Sequence, residues 1–264
     1  MSNQPFIMDI NESGTIEAAN YFMRRSAIII QLPSVYALFS MPNQQGADFI
    51  DQAKNRRAGK NYGTTIGSLN SFLSMSVRPN ALTRTFCDPD MDPIMRRRFE
   101  VSLNRAFLRI NVAPSSVNNT VVRNGTHQAL FFTGDHGRLF NALEDKLGNT
   151  AQPTLFNGNK FSGTLCSSAN ISGDPEGSIT TWERAHDFAI QRNVPLIIRA
   201  QSAPGEQGSF PIFSIENDTV LVHREGPMLQ ELKANLEKII VFDAGWDGLG
   251  RQNTTFEEEL KIAA

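Results

Sequence analysis

Cys166-Ser167-Ser168-Ala169-Asn170-Ile171-Ser172-Gly173 is a polar turn made of small residues. Serine and asparagine side chains donate to and accept from phosphate and ribose oxygens, while alanine and glycine let the backbone come close to a ligand. Taken alone, the same composition also describes a simple loop or a helix cap. Three segments elsewhere in the chain give it meaning. Lys54-Asn55-Arg56-Arg57-Ala58-Gly59-Lys60 closes a helical pattern that starts near Gly46, where the helix dipole favours cations. Ser34-Val35-Tyr36-Ala37-Leu38 follows the apolar run Ala27-Ile28-Ile29-Ile30-Gln31-Leu32, which Pro33 ends. Val222-His223-Arg224-Glu225-Gly226 ends the last hairpin pattern.

Between these segments the hydrophobic periods alternate. Ile16 to Arg25 repeats apolar residues at helical spacing, and the run from Ala27 to Leu32 suits a strand buried on both faces. Thr64 to Leu69, Ala106 to Val112, Ala129 to Phe132 and Val194 to Ile198 read as strands; Leu139 to Leu147 and Thr180 to Gln191 read as helices. Met75 to Pro93 is broken by three prolines and reads as an irregular connection with short helices at most. Pro211 to Ile215 and Val220 to His223 form a hairpin pattern around a polar turn. Such alternation predicts an α/β sheet flanked by helices. Leu229 to Ala264 is left as a C-terminal helix and tail beyond the main unit of residues 1–228.

Composition excludes several classes. No run approaches the ~18 apolar residues of a membrane span, and the start Met1-Ser2-Asn3-Gln4-Pro5 lacks a secretory pattern, so the cytoplasm is the expected compartment and no membrane partner is expected. Cys87 and Cys166 stand far apart without ligand spacing, which predicts free thiols and no metal site. A formal charge of −2 gives no global pull on nucleic acid, leaving local basic clusters such as Lys54 to Lys60 or Arg96-Arg97-Arg98. Neither GxxxxGK[ST] nor a strand-linked GxGxxG occurs, so the common phosphate-binding loops are missing.

The ordered segments resemble the YrdC/YciO-type threonylcarbamoyl-adenylate synthases. Ser168-Ala169-Asn170-Ile171-Ser172-Gly173 is similar to that family's SAN-x-SG signature, Lys54-Asn55-Arg56 to its KxR motif, Val35-Tyr36-Ala37-Leu38 to its V-Y-G-L segment, and Arg224-Glu225-Gly226 to its Arg-x-Gly ending. The resemblance spans roughly residues 15 to 228 and implies a twisted open mixed sheet with flanking helices around a positively charged cavity. It also implies ATP with Mg²⁺, bicarbonate, and L-threonine or another small amine as ligands, with RNA or a partner transferase further on. The implied chemistry is attack of a carbamate on the α-phosphorus of ATP with release of pyrophosphate. By residue, it implies Lys54 and Arg56 as catalytic and nucleotide-binding cations. Lys60, Ser168, Asn170 and Arg224 would join them at the nucleotide, and Ser34 and Tyr36 would line the small-substrate side. Lys54→Ala is then expected to end turnover and leave the fold intact.

The sequence also departs from the family pattern. Asn104-Arg105-Ala106 replaces a proline-glycine-proline turn; Phe132-Thr133-Gly134-Asp135-His136 loses an arginine at Phe132; Pro211-Ile212-Phe213 loses two hydroxyls. Lost donors in a polar site change which ligand it accepts. Three readings follow: a threonylcarbamoyl-adenylate synthase compensated by Arg57, Arg105 or Arg109; a relative acting on a more apolar amine, with Phe132 and Phe213 in its pocket; and a non-catalytic nucleotide- or RNA-binding offshoot.

Overall fold

The computed structural model describes residues 4–56, 62–78, 80–113, 120–148, 163–200, 207–216 and 219–244. Lys60 and Arg57 lie outside them, as does the tail beyond 244. The expected strands form: β2 (Ile28–Gln31), β4 (Gly63–Ile66), β5 (Phe107–Asn111), β6 (Thr126–Phe131), β8 (Leu196–Arg199), and the hairpin β9 (Ile212–Glu216) with β10 (Thr219–Arg224). Three further strands are β1 (Phe6–Asp9), β3 (Tyr36–Ser40) and β7 (Thr164–Ser168). Strands β3 and β7 thus run into two of the motif segments, Ser34 to Leu38 and Cys166 to Gly173, and pair with each other: Ala37 is opposite Ser168 and Phe39 opposite Cys166. Among the described residues the ten strands make one mixed sheet in the order β1-β8-β2-β3-β7-β4-β6-β5-β9-β10.

Alternation along each strand divides the core in two. Ile29, Leu38, Ile66, Leu108, Ala129, Leu165, Ile197 and Phe213 enter one layer. Their neighbours Ile28, Ile30, Ala37, Phe39, Phe107, Leu130, Cys166 and Ile212 enter the other. The first layer is roofed by α2 (Gln44–Lys54), α3 (Leu69–Leu73), α4 (Ala81–Cys87), α5 (Pro93–Leu103), α7 (Trp182–Arg192) and α8 (Leu229–Ala244). Among the described residues the second is covered by α1 (Thr15–Met23) and α6 (Gly134–Gly148), which contribute Ala19, Met23, Leu139, Phe140 and Leu143. Among the described residues these two helices do not cover the ten-stranded face, and the part they leave uncovered lies over β7, β4, β6, β5 and β9. α8, read from sequence as an appendage, sends Leu232 and Leu236 into the first layer, where it meets α4, α5 and β10.

The run Arg96-Arg97-Arg98 sits on α5, away from the uncovered face. Arg96 donates to the Asp88 carbonyl (3.1 Å), and Arg97 pairs with Glu100 (3.3 Å) on a solvated helix surface. At Arg105, where the resembled turn has glycine, φ is +67°, a left-handed conformation that costs a non-glycine residue about 1 kcal/mol.

Two imidazoles are buried neutral. His127 Nε2 lies 2.9 Å from Thr64 Oγ1, its ring meets Phe72 edge-on, and burial lowers its pKa from 6.5 to about 3. His136, with Nε2 2.8 Å from the Gln31 carbonyl, is lowered in the same direction, mainly by burial. The unfolded chain therefore takes up these protons first. Stability is full above about pH 6.5 and falls as the pH drops toward the folded value near 3. We expect His127→Gln to remove about 1.4 kcal/mol per pH unit of that slope, read from urea unfolding at pH 7, 6 and 5; an unchanged slope would contradict the assignment.

Candidate functional site

The uncovered face is a cavity of about 600 Å³, within the range of small-molecule sites. Its floor is Ala37, Gly63, Leu130 and Cys166, the cavity-side residues of β3, β4, β6 and β7. Gly63 is needed there, since a Cβ would lie 2.3 Å from the Phe107 ring and 3.1 Å from Cys166 Sγ. Burial pushes the Cys166 thiol pKa up, so it stays protonated and serves as packing.

The walls carry Lys54, Arg56, Arg109, Arg123 and Arg224, and among the described lining residues there is no carboxylate. Lys54, in the last turn of α2, is buried and turns its ammonium onto the end of β7. It donates to the carbonyls of Ser168 and Asn170 and approaches Asn170 Oδ1 (3.3 Å). The Lys54 carbonyl in turn accepts from the Ser172 amide (2.9 Å). The expected lysine and the expected serine-asparagine turn are thus one knot. Ser168 Oγ donates to Asn170 Oδ1 (2.6 Å), and the turn closes at Gly173, whose φ of +88° suits glycine.

Arg56 follows Asn55, which ends α2 in the left-handed conformation. Its Nη1 donates to Ser167 Oγ (2.9 Å), its Nε is 3.7 Å from Asp51 Oδ1, and its guanidinium lies 4.6 Å from the Tyr62 ring centroid. Tyr62 donates its hydroxyl to the same Asp51 oxygen. Burial, then the Asp51 hydrogen bond, push the phenol's pKa up, while burial pulls Arg56 down. Arg224 closes the opposite wall, donating from Nε (3.1 Å) and Nη2 (2.5 Å) to the Phe210 carbonyl. Gly226 makes that approach feasible, for a Cβ there would sit 2.5 Å from the Ser209 carbonyl oxygen and 2.6 Å from Pro211 N.

Of the expected site residues, Lys54, Arg56, Ser168, Asn170 and Arg224 line this one cavity. Four others are corrected by the geometry. Ser34 donates its hydroxyl to the Gly208 carbonyl (2.9 Å) and serves to hold that segment. Tyr36 points to the opposite face of β3, into the first core layer, where burial raises its pKa. Phe213 is likewise in the first layer, because the strand period puts Ile212 and not Phe213 on the cavity side. Phe132 lies past the end of β6, stacked on Phe140 and edge-on to Phe210. Arg105 reaches Met228 Sδ and not the cavity. Sequence reading missed the cavity roles of Arg123, Gln128, Phe107 and Phe210. Period-two alternation would have put Phe107 and Arg109 on one face, and the Asn124-Gly125 pair after Arg123 is the signature of a tight hairpin turn.

No protein-family model matches the chain, and no curated protein matches it in sequence. Solved structures do match in shape. E. coli YciO superposes with a TM-score of 0.57 at 18% identity, covering 86% of this chain and 96% of its own. P. abyssi Sua5 complexed with L-threonine gives 0.60 at 16% identity over 87% of this chain, which spans 60% of Sua5. T. kodakarensis HypF gives 0.56 at 11% identity over 80% of this chain, which spans 24% of HypF. At such identities the likeness speaks for architecture: this chain has the twisted open mixed-sheet fold shared by YciO and the YrdC-like part of Sua5 and HypF.

Proposed function

We propose that the chain binds ATP in this cavity and uses it to activate a carbamate as an acyl-adenylate, releasing pyrophosphate. The observation that carries the reading is the set of Lys54, Arg56 and Arg224 beside the Ser168-to-Asn170 turn, on one concave sheet face whose described lining has no carboxylate. Cations gathered on one concave face, with Asp51 near Arg56 set outside the lining, create a positive potential that attracts an anion. A triphosphate is such an anion, and the Ser168-Ala169-Asn170 turn adds hydroxyl and amide groups beside it. The amino-acid partner is supported by the Sua5 neighbour, which is complexed with L-threonine.

In the proposed reaction an amine and bicarbonate condense to a carbamate with loss of water. A carbamate oxygen then bonds to the α-phosphorus as the bond from that phosphorus to the bridging oxygen of pyrophosphate breaks. Fixed guanidinium groups would neutralise charge on the phosphoryl oxygens and the leaving group without reorganising. Lys54 acts mainly by holding the Ser168-to-Asn170 carbonyls in place, so its part is positional as well as electrostatic. Among the described residues no cluster of potential metal ligands occurs. Mg²⁺ would therefore arrive on the triphosphate, held by phosphate oxygens and water, and would supply further charge neutralisation there.

The test is pyrophosphate release from ATP and bicarbonate across a panel of amino acids and simple amines, beside an ATP titration. ATP binding with amine-dependent pyrophosphate release is expected. Absence of both would refute the reading, and RNA binding that weakens with salt in their place would favour a binding role.

A further inference from the structure

The cavity cations differ in what already holds them. Lys54 and Arg56 are tied to the β7 turn, and Arg224 to the Phe210 carbonyl. Arg109 on β5 lies elsewhere. β7, β4, β6 and β5 are successive neighbours, so at ~4.8 Å per strand it sits about 14 Å across the sheet from the Ser168 turn. Its Nη2 donates to Gln128 Oε1 (2.9 Å) on β6, directly opposite in register, and its Nε is buried with no hydrogen-bond partner among the described residues. With the Gln128 oxygen spent on the guanidinium, the amide NH₂ is a further donor.

Arg123 joins this pair through a tight turn. Arg123 and Thr126 exchange backbone hydrogen bonds of 2.9 Å around Asn124 and Gly125, both in the left-handed region, with φ of +49° and +71°. Thr126 is two residues from Gln128 on the same strand face, so the turn brings Arg123 to the same end of the cavity, which Arg123, Asn124 and Gln128 all line. The surroundings add a further guanidinium, Arg224, which lines the same cavity. Burial lowers the pKa of Arg109; burial, with a smaller contribution from Arg109, also lowers those of Arg224 and His223, and Glu216 acts the other way on His223. The carboxylate nearby, Glu216, is engaged by Ser214 Oγ (3.1 Å), which also meets His223 Nε2 (2.8 Å).

We infer that Arg109, Gln128 and Arg123 form a second anion subsite that selects an amine substrate with an acidic group remote from its amino nitrogen. The inference rests on the adenylate reading for the other end of the cavity and replaces the apolar amine expected when Phe132 and Phe213 were assigned to the pocket. Guanidinium and amide donors grouped on two paired strands match an oxyanion, and a site built of such donors discriminates strongly against an isosteric ligand lacking the charge.

The test is calorimetric titration of the full chain, with and without ATP, using L-glutamate and L-aspartate against their neutral isosteres L-glutamine and L-asparagine, with O-phospho-L-serine as a phosphate-bearing arm. We expect at least one acidic probe to bind tenfold or more tightly than the neutral ones. That preference should fall to within about threefold in Arg109→Gln and weaken in Arg123→Gln, while ATP affinity changes less than threefold. A preference confined to phosphoserine would identify the acid as a phosphate, and one confined to the dicarboxylates as a carboxylate. Equal binding of acidic and neutral probes, or no binding of any acid, overturns the inference even if ATP binds. So does an Arg109→Gln variant that loses ATP and keeps the acid preference, since Arg109 would then serve the triphosphate. Acid preference without ATP binding leaves the subsite standing and removes the adenylate reading.

Discussion

Lys54→Met should unfold at lower denaturant than the parent, by about 2–4 kcal/mol, and should lose most of its ATP affinity. Methionine keeps the length and packing of the side chain, so the difference reports the ammonium. That group gives hydrogen bonds to the carbonyls of Ser168 and Asn170 from a buried position, and bonds from a charged donor contribute about 1.5–3 kcal/mol each. Once it is gone, the carbonyls of Ser168 and Asn170 lose the ammonium donor, and the serine-asparagine turn keeps the backbone bond from the Ser172 amide to the Lys54 carbonyl. This revises the sequence-based expectation for Lys54→Ala, loss of turnover with an intact fold. The residue belongs to the scaffold and the site together. Denaturant unfolding and an ATP titration on the same preparation decide it, and a variant equal to the parent in both would show that the knot is not needed.

Phe213→Ala should cost about 3–5 kcal/mol of stability and leave the choice of amine unaltered. Phe213 is fully buried in the first core layer among side chains of the roofing helices, and truncating such a ring leaves a cavity the surroundings fill only in part. Phe210, which lines the ligand cavity from the segment before β9, is the informative contrast: Phe210→Ala opens the wall beside Arg224 and should alter ligand affinity. Thermal unfolding with ligand titration of both variants separates the cases. A changed amine preference in Phe213→Ala with little loss of stability would put that ring back at the substrate.

Much of the site was legible because it is local. The Lys54-Asn55-Arg56 cluster at a helix end, the Ser168-to-Gly173 turn and Arg224 before Gly226 each have a chemistry readable from adjacent residues, and all three meet in the cavity. Phe213 and Tyr36 failed as site residues for a reason also local in origin. A one-position choice on a strand exchanges the two faces, and Ile212 and Ala37 hold the cavity side. Ser34 failed because its partner, the Gly208 carbonyl, is far away in the chain.

By itself the sequence determined seven of the ten described strands and the longer amphipathic helices, the alternation that splits apolar residues between two layers, and the presence of cationic and small polar motifs. Only the tertiary structure decided which face of the sheet stays bare. It also decided that β3 and β7 pair so the motif turn lies against α2, and that Arg109, Gln128 and Arg123 converge at the far end. Periodicity acts over a few residues through backbone geometry. An uncovered face depends on how many helices pack on each side of all ten strands, and that is a property of the whole chain.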